Sequence, residues 1–191
     1  VSGPTGMVFN PGAGLGPRWK DHFFVVEFVG SAASSGIHAF QLQPKGASFE
    51  LTKTEKIVGS FLPTGIDFGP DGALYAADWV NGWDDKNYGR IWKLTDETAA
   101  GWELQKQTAE EIKADYKKLS EQDLKTKLYF EDMRIRRKAQ FELAKRGEKG
   151  AAIFKDVIGD KSNQVARVHG IVGLTQLGRM DNRDHADAIV P

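Results

Sequence analysis

Two internal repeats and one change of composition predict a chain that is β first and α second. The hexapeptide Pro4-Thr5-Gly6-Met7-Val8-Phe9 recurs as Pro63-Thr64-Gly65-Ile66-Asp67-Phe68. Each copy runs into turn residues, Asn10-Pro11-Gly12 and Gly69-Pro70-Asp71-Gly72. All 5 tryptophans lie between residues 19 and 102, after which the sequence turns charged and helical. A second repeat then appears, from Asp132 to Gly147 and again from Asn163 to Gly178. Strand-and-turn units of roughly 50–60 residues predict the C-terminal blades of a β-propeller over residues 1–104. Helical units of roughly 30 residues predict a HEAT-like α-solenoid over residues 105–191. One or two blades cannot bury a propeller core. The chain starts at Val1 and stops at Pro191 inside a helical pattern, so it reads as a fragment of a longer chain.

The β elements follow from short apolar-aromatic runs between turn signals. In the first copy these runs are 23–29, 37–42 and a fourth strand at 48–52 or 56–58. In the second they are 65–68, 73–79 and 89–95, with a weak fourth at 102–104. Gly69-Pro70-Asp71-Gly72 predicts a tight hairpin, because Pro presets φ and Gly supplies a positive φ. In the helical half, Thr108-Ala109-Glu110-Glu111 reads as a capping box and Ser120 as the cap of a second helix. Asp132 and Asn163 are caps, and Gly147 and Gly178 are terminators. Residues 151–158 form a short helix between the repeats, and 181–190 the next one. Leu143 and Leu174 hold equivalent core positions.

Composition bounds the chemistry. The 191 residues carry a formal net charge of +0, with an acidic first half and a basic second half. There is no cysteine, so disulfides, thiolate metal sites and haem attachment are excluded within this chain. No apolar run approaches the ~18 residues of a membrane span. The basic run Arg134, Arg136, Arg137 and Lys138 has no aromatic interleaving. It reads as a solvated helix face or interhelix salt bridges rather than a nucleic-acid site, with Arg134 and Lys138 mostly exposed.

Blade geometry would bring Thr5, Thr64 and the loops at 27–36 and 78–89 to one face. The 78–89 loop concentrates the candidates. Thr64, Asp78, Trp79 and Trp83 are candidate substrate-binding residues, with the two indoles as a platform for a sugar or flat ring. Asp78, Asp84 and Asp85 are candidate ligands of a hard cation such as Ca²⁺, which takes carboxylate and carbonyl oxygen. The competing reading makes Asp78 an acceptor for backbone donors and packs Trp79 and Trp83 against neighbouring strands. His22, His38 and His169 read as structural or packed histidines.

Residues 63–79, then Gly82-Trp83 and Gly89-Arg90-Ile91-Trp92, resemble the last blades of the membrane-bound dehydrogenase family of planctomycetes and their relatives. That family is similar to glucose/sorbosone dehydrogenase propellers and often continues into HEAT repeats and a c-type cytochrome domain. The resemblance implies a periplasmic or exported redox protein acting on sugars or related alcohols. It implies pyrroloquinoline quinone or Ca²⁺ as cofactor, and haem only outside this chain. Partners would be the remaining propeller blades or other chains of a larger assembly and a cytochrome c domain, with no nucleic acid. Family members hold the quinone with basic residues. The corresponding stretches here, Phe61-Leu62-Pro63-Thr64 and Phe28-Val29, contain none, and the family's catalytic histidine would lie outside this chain. The alternative function is a non-catalytic binding module for polysaccharide or protein partners.

Overall fold

A computed structural model describes residues 3–81, 83 and 87–181. The chain divides into two compact units, Val1–Ala109 and Glu110–Pro191. In the first unit, β1 (Gly3–Phe9), β2 (Phe23–Phe28), β3 (Gly36–Lys45) and β4 (Ser48–Gly59) form an antiparallel sheet in sequence order. β5 (Pro63–Phe68), β6 (Leu74–Asp78) and β7 (Arg90–Leu94) form a second, three-stranded one.

The two sheets share one apolar core. Phe24, Val26, Ile37 and Ala39 of the first sheet meet Phe68, Leu74 and Ala76 of the second, all buried. Leu15 and Trp19, from the excursion between β1 and β2, close the same core. Asn10 folds that excursion. Its Oδ1 accepts from the backbone N–H groups of Gly12 (2.9 Å) and Gly14 (3.1 Å), and its Nδ2 donates to the Gly14 and Trp19 carbonyls (both 2.9 Å). The predicted hairpin forms, with the Gly72 N–H donating to the Gly69 carbonyl at 3.0 Å and Gly72 at φ +76°.

The predicted fold class is corrected here. The described residues form two small antiparallel sheets, of four and three strands, followed by five α-helices. They form no closed barrel and no propeller, and the propeller-plus-solenoid architecture does not hold. Short strands with tight turns specify antiparallel meanders, but not how many sheets stack or whether they close. The weak fourth strand of the second copy does not exist either. Residues 102–104 instead lead into α1 (Glu103–Lys113), which begins well before the predicted cap at Thr108. Thr108 lies inside this helix, buried, with its hydroxyl unpaired among the described residues. The two alternatives for strand 4 of the first copy are both strand, joined in β4.

The second unit holds α2 (Glu121–Lys127), α3 (Met133–Ala144), α4 (Glu148–Gly159) and α5 (Gln164–Asp181) around a core of Leu124, Leu128, Ile135, Phe154, Val157 and Leu177. Leu143 and Leu174 are both 0% exposed, as predicted. Ser120 caps α2 in a reciprocal capping box with Asp123, and Asp132 caps α3. Gly150 lets α4 approach α3, since a Cβ there would fall 1.9 Å from the Leu143 carbonyl oxygen. Gly147 ends its repeat at φ +58°, whereas Gly178 lies within α5 and terminates nothing. The predicted helix at 181–190 lies almost wholly outside the described residues.

Within the basic run Arg137 is exposed, but Arg134 and Lys138 are not the solvated residues expected. Arg134 makes a two-point contact with the fully buried Asp132, Nε to Oδ1 and Nη2 to Oδ2, both at 2.9 Å. Lys138 Nζ donates to the carbonyls of Ile112 (2.7 Å), Ala114 (2.5 Å) and Glu111 (3.3 Å) and lies 4.3 Å from the Tyr116 ring centre. Lysine thereby satisfies carbonyls left open at a helix C-terminus, and it also complements the dipole there. Burial pushes the Lys138 ammonium pKa down, against the opposing pull of Glu111 and Asp115.

Candidate functional site

The ends of β2 and β6 meet on one side of the first unit. The register places Pro63 opposite Asp78 and Pro4 opposite Glu27. Thr5 Oγ1 donates to the Pro63 carbonyl at 3.5 Å. Thr5, Thr64 and Asp78 therefore stand at the same strand ends, as predicted.

Asp78 organises this end. Its Oδ1 accepts from the Leu62 N–H (3.1 Å) and the Val80 N–H (2.9 Å), and its Oδ2 accepts from Trp92 Nε1 (2.9 Å). Burial alone would raise its pKa. The three donors and the nearby Arg90 outweigh that, holding the carboxyl below the usual range. The backbone at Val80 has φ +61°, a conformation that costs a β-branched residue on the order of 1–3 kcal/mol. The Asp78–Val80 bond holds this turn and sets the direction in which the chain leaves β6.

The turn delivers the indoles. The Trp79 N–H donates to the Leu62 carbonyl at 2.8 Å. Its ring lies 4.7 Å from Trp83, centre to centre, at an interplanar angle of 57°. Phe28, at the end of β2, packs against both, 5.8 Å from Trp79 and 6.4 Å from Trp83. Gly30, at φ +79°, passes beside the cluster, where a Cβ would lie 3.6 Å from Trp83. Trp83 remains 63% exposed while Trp79 is half-buried. The result is an apolar aromatic wedge with one free indole, supported by strand ends. Large rigid rings of this kind give contact area at low entropic cost.

The other candidates are placed as follows. Thr64 is exposed, and its hydroxyl reaches the Ala77 carbonyl at 3.4 Å. Asp84 and Asp85 lie outside the described residues. Among the described residues no three His, Cys, Asp or Glu side chains converge to hold a metal ion. Residues 61–64 and 28–29 carry no basic side chain to meet a quinone carboxylate, and the basic group beside Asp78 at this end is Arg90, across the β6–β7 pair. His22 is buried with Nδ1 2.9 Å from the Lys20 carbonyl. His38 Nε2 lies 2.9 Å from Glu27 Oε2, the counterpart in the first sheet of the Trp92–Asp78 bond in the second. That equivalence marks it as a cross-strand tie.

Phe28 and Gly30 were missed as site residues. The signal was in the repeat, because Glu27-Phe28-Val29 stands where Asp78-Trp79-Val80 stands in the second copy. No helix among the described residues is long and apolar enough to cross a membrane. No family model matches the chain, and neither a curated protein nor a solved structure is significantly similar to it.

Proposed function

We propose that the chain is a non-catalytic binding module that holds a saccharide unit of a polysaccharide against Trp83 and Trp79, with Phe28 behind them. The exposed Trp83 indole, packed at a tilt with its ring centre 4.7 Å from a second indole, carries this reading. A sugar ring has an apolar C–H face that covers an indole while its hydroxyls stay in water or reach neighbours such as Thr64. Asp78 supports the platform instead of acting as a proton donor, since its carboxylate is held ionised by three protein donors. Calorimetric titration with soluble neutral polysaccharides (xylan, mixed-linkage glucan) tests it. Binding in the micromolar to millimolar range is expected, weakened at least tenfold by Trp83→Ala with no change in melting temperature. Equal binding by Trp83→Ala, or none at millimolar ligand, would overturn it.

A second reading rests on the likeness of residues 63–92 to the dehydrogenase family, a stretch that includes both indoles. In it the same platform presents a sugar or related alcohol within an exported, periplasmic assembly, and electrons pass to a haem domain outside this chain. Sugar-dependent reduction of an artificial electron acceptor would favour it over binding without turnover.

A further inference from the structure

β2 is apolar on both faces. Phe24 and Val26 point into the core, while Phe23 and Val25 point the other way. Strands apolar on both sides belong to sheets covered on both sides. The outward face of the four-stranded sheet is nevertheless open. Phe9, Phe23 and Phe40 form a cross-strand ladder on it, with ring centres 4.7 and 5.1 Å apart. Met7 and Val25 form the next row, and Leu42 and Leu51 continue the face along the β3–β4 hairpin. Exposure is 62% at Met7, 39% at Phe9, 40% at Leu42, 58% at Leu51 and 65% at Phe49. A depression of about 430 Å³ lies among Val25, Glu27, His38, Phe40, Leu51 and Thr54.

The repeat identifies what kind of surface this is. By strand register, Met7, Phe9, Phe23, Val25 and Phe40 correspond to Ile66, Phe68, Leu74, Ala76 and Leu94. Those five are the residues of the second sheet that pack into the core against the first. The open face thus has the chemistry of a face that docks on another sheet. Its exposed large side chains leave roughly 500 Å² of apolar surface. With the half-buried rings and the polar rim this approaches the ~800 Å² per partner of a standard interface.

We propose that this face is a self-association surface, on which the same face of a second copy packs to give a two-fold dimer. Within a second copy the inner sheet faces are already occupied. The outer face of its three-stranded sheet is mixed, with Ile91 73% exposed beside the exposed Asp67 and Lys93 paired to Asp71 at 2.7 Å. Of the two outer sheet faces, that of the four-stranded sheet is the broader apolar one, carrying Met7, Phe9, Leu42, Phe49 and Leu51 against Ile91 on the other, and an isologous contact between two such faces closes at two copies. Charge permits it, since the net charge is +0. The ionisable groups on the face, Glu27, His38 and Lys56, already pair with one another at 2.9 and 3.8 Å.

Sedimentation velocity of the full chain from about 1 to about 100 µM brackets the affinity of such an interface. The expected species has twice the 21.1 kDa chain mass. The double change Met7→Lys, Leu51→Lys should raise the dissociation constant at least tenfold. Ile91→Lys, on the outer face of the other sheet and 73% exposed, should leave it unchanged. If the double variant loses its far-UV spectrum, Leu51→Lys alone on the projecting hairpin carries the same test. A wild-type chain that stays at the single-chain mass, growth beyond two copies, or a dimer broken by Ile91→Lys would each overturn the proposal.

Discussion

Acid should weaken the helical unit through one histidine. Arg136 Nε lies 3.2 Å from His169 Nε2, and Gln140 Oε1 lies 2.8 Å from His169 Nδ1. Arginine can only donate, so Nε2 is the acceptor and Nδ1 carries the proton, which describes a neutral ring. Burial first, then the charges of Arg136 and Arg137, push its pKa down from 6.5 to about 4. The sign follows from linkage. Between those values the unfolded chain binds the proton and the folded chain does not, so stability present at neutral pH is lost as pH falls from about 6.5 towards about 4. From about pH 8 to about pH 5 the full effect would be about 2 kcal/mol, and solvent screening of a half-buried ring brings the expected value nearer ~1 kcal/mol. Urea unfolding followed by the far-UV helix signal, at both pH values, measures it. His169→Gln keeps a donor and an acceptor at the site but does not titrate there. The wild type should lose more stability than this variant by that margin. Equal losses in the two proteins would refute the neutral-histidine reasoning.

Three further outcomes follow from the packing. Leu143→Ala and Leu174→Ala should each cost roughly 2–5 kcal/mol in thermal unfolding. Lys138→Met should cost about 2 kcal/mol, far above the ~0.5 kcal/mol of a solvated lysine, because it strips the carbonyls at the end of α1 of their donor. Asp78→Ala should destabilise the β unit by roughly 2–4 kcal/mol in urea, read by tryptophan fluorescence, since Leu62 N–H, Val80 N–H and Trp92 Nε1–H lose their acceptor together.

Local structure was legible where a residue has one physical use. Gly72 reads as a turn because its position demands positive φ, and Ser120 and Asp132 read as caps because they are followed by open backbone donors. Leu143 and Leu174 read as core from the repeat alone. Sheet stacking was not legible, because the alternation in β2 says only that both faces are apolar. One face is buried within the chain and the other is open. The fate of 102–104 was misread because Trp102-Glu103-Leu104 suits a strand and a helix start equally. Arg134 and Lys138 were misread because charge in sequence gives no view of the partner. Asp132 and the carbonyls of residues 111–114 reach them only through the fold. At the candidate site, Trp79, Trp83 and Asp78 were visible as a loop cluster. The reading of Asp78 as an acceptor for backbone donors, with both indoles packed, holds, while the identity of the donors, Leu62 and Val80 N–H with the Trp92 indole, came only with the fold.

The indole N–H resonances give the most direct test of the proposed site, because the 5 tryptophans of this chain serve as both probes and controls. Trp19 is buried, with its Nε1–H bonded to Asp96 Oδ2 at 2.8 Å, far in sequence from the platform residues. Titration with a soluble neutral oligosaccharide should shift the Trp83 and Trp79 resonances in a saturable way and leave that of Trp19 in place. Unmoved Trp83 and Trp79 resonances at millimolar saccharide, or saturable shifts confined to other tryptophans, would contradict the account.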